Sequence, residues 1–150
     1  MKYIQIILSI LILSIISSCG NGYSKLKMQE LSGVDRFTRG WSEAEIDELF
    51  NQMEAWCTIQ NSKIDKIIQE KTPEKRKSMS QDYLEGLEKD SPNSEEAMVF
   101  RCIIILKTLE DMPKYRRMLT DEQYIRQEEV FDLCDRFHNR TYLIKEFANK

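Results

Sequence analysis

The side chains best suited to chemistry in this chain are four cysteines, Cys19, Cys57, Cys102 and Cys134, and one histidine, His138. Thiolate and imidazole are zinc ligands, and His138 follows Cys134 by four residues, the spacing that puts two ligands on one helix face. The paired Cys-x-x-Cys or His-x-x-x-His signals of a metal site are absent from the sequence. Cys57, Cys102 and Cys134 each fall on an apolar stripe, where a free cysteine behaves as a small core residue. Three readings stay open for them: buried thiols, one disulfide among the three, and, with least support, a metal centre.

Asp135-x-x-His138 is half of a carboxylate di-iron motif, which needs a second carboxylate-x-x-His on another helix. A chain with one histidine has no second half. Glu43, Glu45, Asp47 and Glu48, and then Glu128, Glu129, Asp132 and Asp135, could in principle do acid–base work. The first group opens a helix, where negative charge meets the positive end of the helix dipole. The second fits a solvated helix face. No catalytic residue, metal ligand or cofactor is therefore expected, and the chain does not read as an enzyme. Lys114, Tyr115, Arg116 and Arg117 form the densest basic cluster with an aromatic. They are the candidate interaction patch, for anionic lipid head groups or an acidic partner, with a solvated loop as the plain alternative.

The elements that must position these residues are helical. Only 5 glycines and 3 prolines interrupt 150 residues, and 31% of the chain is charged, a balance that favours an all-α domain over a sandwich or barrel. Trp41-Ser42-Glu43-Ala44-Glu45-Ile46 predicts a capped helix start with Trp41 and Ile46 as a hydrophobic staple. The stripe Ile46, Phe50, Met53, Cys57, Gln60, Ile64, Ile67 carries that helix to about Lys71. Thr72-Pro73 starts a second helix, which ends near Lys89. A turn at Asp90–Ser94 leads into Ala97–Leu106, apolar nearly all round apart from Arg101. Such a helix must be surrounded, so it is expected at the centre of the bundle, with Ile104 buried. A buried strand over Ile103 to Ile105 is the alternative, and Pro113 ends the element. A second capping box at Thr120 and Gln123, with Leu119 and Tyr124 as staple, opens the last helix; its stripe runs Val130, Cys134, Phe137, Thr141, Ile144, Ala148. Four helices with short connections predict an up-down bundle of mostly antiparallel neighbours over residues 41–150.

The first nineteen residues have a different layout. Lys2 precedes an apolar run from Tyr3 to Ile16, as in a secretory signal. Tyr3 to Ser18 would span roughly 24 Å as a helix, short of the roughly 30 Å of a bilayer core. The ending Ile16-Ser17-Ser18-Cys19 resembles the lipobox of bacterial lipoprotein precursors: an aliphatic residue, two small residues, then an obligatory cysteine. The resemblance covers residues 1–19 only, and leucine is commoner than isoleucine at the aliphatic position. It implies that residues 1–18 are a signal peptide removed before Cys19. It further implies that Cys19 carries diacylglycerol and becomes an acylated N-terminus with palmitate-type chains. Gly20 rather than Asp after the cysteine implies an outer-membrane, periplasm-facing destination over the inner membrane. Residues 19–40, rich in Gly and Ser, are then expected to be a flexible tether.

Removing residues 1–18 from 150 leaves 132, enough for one domain, and loss of Lys2 moves the formal charge from −3 to −4. A mildly acidic domain lacks the basic footprint of nucleic-acid binding. The expectation is a lipid-anchored envelope protein that works as a protein-interaction or accessory module, held to the membrane by its anchor and meeting a protein partner. An immunity- or inhibitor-type lipoprotein and a carrier of a small apolar ligand or lipid are the alternatives.

Overall fold

A computed structural model describes residues 22–87, 93–110 and 119–150. The leader and Cys19, the turn residues Asp90, Ser91 and Pro92, the stop at Pro113 and the cluster Lys114, Tyr115, Arg116 and Arg117 lie outside the described residues. Regular structure in the described part is all helical: α1 (Lys25–Leu31), α2 (Arg36–Arg39), α3 (Glu43–Gln69), α4 (Pro73–Gly86), α5 (Glu95–Glu110) and α6 (Asp121–Asn149). The predicted local signals are in place. Ser42 and Glu45 form a reciprocal capping box at the start of α3, as Thr120 and Gln123 do for α6. Trp41 and Ile46 are both buried. Pro73 occupies the first turn of α4, and Ser94 Oγ accepts from the Ala97 amide at 3.1 Å to open α5. The Ile103 to Ile105 run is helix, not strand.

The bundle is organised around α3 and α6. Trp56 packs edge-on to Phe137 at 4.8 Å between ring centroids, and Phe50, Met53, Ile64, Val130 and Ile144 continue the buried seam. The polar bonds between the two helices fix their relative direction. Gln123 Nε2 donates to Asp47 Oδ1 at 2.8 Å, Arg126 to Asn51 and Glu54, and Arg140 to Asn61 and Asp65. Partners in α6 advance as partners in α3 advance, so the two longest helices run parallel. They can do so because α4 and α5 both return between them. α4 is antiparallel to α3, with Tyr83 Oη donating to Gln60 Oε1 at 3.2 Å. α5 runs against α6, with Phe100 beside His138 and Lys107 over Phe131. The antiparallel-neighbour expectation holds for these successive helices and not for the α3–α6 pair.

Two expectations need correction. The segment 22–40 is not a free tether: α1 is docked, with Met28 and Leu31 fully buried. The Ser24 amide donates to Gln52 Oε1 at 2.7 Å, and the Trp41 indole N–H donates to the Leu31 carbonyl at 3.0 Å. Gly40, at φ +73°, makes the left-handed turn that brings the chain from α2 to the start of α3, a conformation open to glycine without a Cβ penalty. Nor is α5 surrounded. Met98, Val99, Cys102, Ile105 and Leu106 are buried, but Ile103 is half-buried and Ile104 is 55% exposed. The helix has more apolar residues than its one buried face uses.

Candidate functional site

Three places gather side chains that could do something chemical. The first is the thiol pair inside the α3–α6 seam. Cys57 Sγ and Cys134 Sγ are 3.0 Å apart and both residues are buried. The hydrogen bond with Cys134, then burial, push the Cys57 thiol far above its ordinary range. Asn61 fastens the same level of the seam. Its Nδ2 donates to the Cys57 carbonyl at 3.0 Å and to the Leu133 carbonyl at 3.4 Å, and its Oδ1 accepts from Arg140. Cys102 stands apart, its Sγ 3.8 Å from Met28 Sδ, and burial pushes its thiol up to about 12.

The second place is a cleft of about 380 Å³ lined by Gln60, Lys63, Asp82, Tyr83, Leu87 and Glu95. Glu95 accepts from the buried Trp56 indole at 2.8 Å and lies 4.0 Å from Lys25 Nζ. Burial, with Glu95 or Glu96 nearby, raises the phenols of Tyr23 and Tyr83 respectively. Of the two, Tyr83 lines the cleft and donates to Gln60, Tyr23 Oη is buried without a hydrogen-bond partner, and Glu95 already has partners within the fold. The geometry suits holding α3, α4 and α5 together.

The third place is a surface seam between α5 and α6. His138 is sandwiched edge-to-face between Phe100 at 5.3 Å and Tyr142 at 5.1 Å. Lys145 Nζ sits 5.2 Å from the Tyr142 ring. Ile104, one turn after Phe100, and Tyr142 are each 55% exposed. The face is therefore aromatic and aliphatic, with Lys145 at its edge.

Of the residues singled out from sequence, Cys57 and Cys134 come together and Cys102 does not join them. His138 is half-buried within an aromatic stack, and Asp135, Glu128, Glu129 and Asp132 face solvent. Among the described residues no three His, Cys, Asp or Glu side chains are placed to hold a metal ion. Glu45 turned out to do more than cap. Its Oε1 accepts from Arg36 Nη1 at 2.7 Å, with Arg39 Nη2 at 3.7 Å, while Oε2 accepts from the Ser42 amide at 2.9 Å. The Ser42 amide foremost, with Arg36, holds the Glu45 carboxyl at about 2. Arg36 lies outside the helical stripes, so no periodic signal pointed to it. Compared with known proteins, the chain matches no family model, no curated protein and no solved structure.

Proposed function

We propose that this is a lipid-anchored envelope protein whose helical domain acts through protein–protein contact, as an accessory or interaction module. The observation that carries the reading is the Ile16-Ser17-Ser18-Cys19 ending of an apolar leader. Each buried methylene contributes about 0.8 kcal/mol to membrane binding, and two or more acyl chains make anchoring stable. No helix among the described residues is long and apolar enough to cross a membrane; in this reading the attachment is the lipid on Cys19. The contact reading is supported by the seam in which exposed Ile104 and Tyr142 flank half-buried Phe100 and His138, an apolar surface rather than a pocket.

The anchor is tested by labelling cells with a fatty acid and replacing Cys19 with Ala. Label on the native chain, lost in Cys19→Ala together with membrane association, is the expected result. Unlabelled native protein, or equal label in the variant, would overturn the anchor. The contact reading is tested by cross-linking the native chain in its envelope and comparing it with Ile104→Arg. One dominant cross-linked species that disappears in the variant is expected; a native chain forming none would overturn it.

A further inference from the structure

We propose that Cys57 and Cys134 are a disulfide-forming pair that locks the two long parallel helices together, with Cys102 left as a thiol. The geometry selects this pair from the three cysteines. The two sulfurs are already 3.0 Å apart and need to approach by only about 1 Å more to reach bonding distance. Their backbones are held at the same level by the Asn61 side chain, which bonds the Cys57 carbonyl and the carbonyl of Leu133, next to Cys134. The Trp56–Phe137 contact packs beside them, each ring one to three residues from one of the cysteines. Cys102 faces the Met28 thioether, which cannot form a disulfide.

The bond forms by exchange with an external disulfide, either a low-molecular-weight one or a Cys-x-x-Cys protein oxidant. One protein thiol loses its proton and attacks an oxidant sulfur. The oxidant S–S bond breaks, and one oxidant thiolate leaves and takes up a proton. The second protein thiol, deprotonated in turn, attacks the first protein sulfur in the mixed disulfide and releases the other oxidant thiol. Two protein thiols are oxidised by two electrons and one oxidant disulfide is reduced to two thiols. Both sulfurs are closed off in the folded domain, so exchange takes place before α6 closes on α3. A bond made then is shielded from reductant. Formation in the cell rests on the envelope reading, because that compartment is oxidising; the pairing itself rests on the geometry alone.

The test separates the two. The full chain is unfolded and refolded in detergent with a mixture of oxidised and reduced glutathione, its remaining thiols are blocked with N-ethylmaleimide, and peptides are mapped by mass spectrometry. A Cys57–Cys134 cross-linked peptide with Cys102 alkylated is expected. The bridge closes a loop of about 77 residues, which should raise the melting midpoint by about 10 °C over the reduced protein. Cys102→Ser should keep that rise, and Cys134→Ser should lose it. Three alkylated thiols, or a bridge that includes Cys102, would overturn the pairing. The same mapping on chain blocked at lysis reads the compartment. Free Cys57 and Cys134 there, beside a bridge formed on refolding, would overturn the envelope reading and leave the pair standing.

Discussion

Replacing Glu45 with Gln removes the carboxylate that joins the start of α3 to the buried Arg36. Arg36 is 4% exposed, and Glu45, at 27%, pairs with it at 2.7 Å. A carboxyl held at about 2 rather than 4.5 represents roughly 3 kcal/mol at 1.36 kcal/mol per pKa unit. Solvent still reaches part of Glu45, and screening reduces that to about 1.5–2 kcal/mol. Gln retains an oxygen for the Ser42 amide, so the cap is kept as a neutral bond, and the loss reports the carboxylate charge that strengthens the Ser42 bond foremost and the Arg36 pair second. For a domain of this size the melting midpoint should fall by roughly 5–7 °C. The pH dependence follows from the direction of the shift. The folded state holds Glu45 ionised below the pH at which the unfolded chain takes up the proton. Its contribution is therefore complete above about pH 4.5 and is lost as pH falls toward 2. Urea unfolding followed by far-UV circular dichroism, from pH 7 down to pH 2, should show the two stability curves converging at the acid end. Glu70 is also held at about 2, by Lys75 foremost, but it is present in both proteins and cancels in the difference. A difference below about 0.5 kcal/mol at neutral pH, or one that does not change with pH, would refute the argument.

Ile104→Asp should change stability by less than about 0.5 kcal/mol, whereas Ile105→Asp should prevent folding by burying an unpaired charge; melting curves of the two neighbours make the comparison. Leu31→Ala should cost about 2–4 kcal/mol in urea denaturation without adding a second transition, because α1 is part of the core. Burial keeps Cys102 protonated in the fold while an unfolded thiol ionises near pH 8.5, so its stabilisation is present below that pH and is lost above it. Cys102→Ala should accordingly flatten the decline in urea midpoint between about pH 8 and pH 10.

What could be read from sequence was what is decided within a turn or two of helix. Ser42 with Glu45 and Thr120 with Gln123 act on amides three residues away, Pro73 fixes the backbone of the first turn of α4, and each helix begins where they indicate. The stripes of α3 and α6 correctly named Phe50, Met53, Ile64, Phe137 and Ile144 as core. What failed depends on contacts far apart in the chain. α1 has seven residues flanked by glycines, and its helix is secured by Gln52 and Trp41 rather than by its own periodicity. In α5 the apolar composition was read as burial, but a helix buries a face, and Ile104 is on the other side. The same limit applied to the thiols. Their positions on apolar stripes were visible, but which two meet is set by the register of α3 on α6, and that follows from two intervening helices returning in the same sense.

The early docking of the chain has a further consequence for how the protein sits. Ser24 is already bonded to Gln52, about a third of the way along a helix about 40 Å long. Four residues lie between Cys19 and Ser24, and the five steps reach at most about 18 Å. A fatty anchor there would hold the rod nearer the start of α3, on a leash shorter than half the rod's length. The α1 flank and the start of α3 would then stay close to the bilayer, and the far end of the bundle, where α3 gives way to α4, would be the part held away from it.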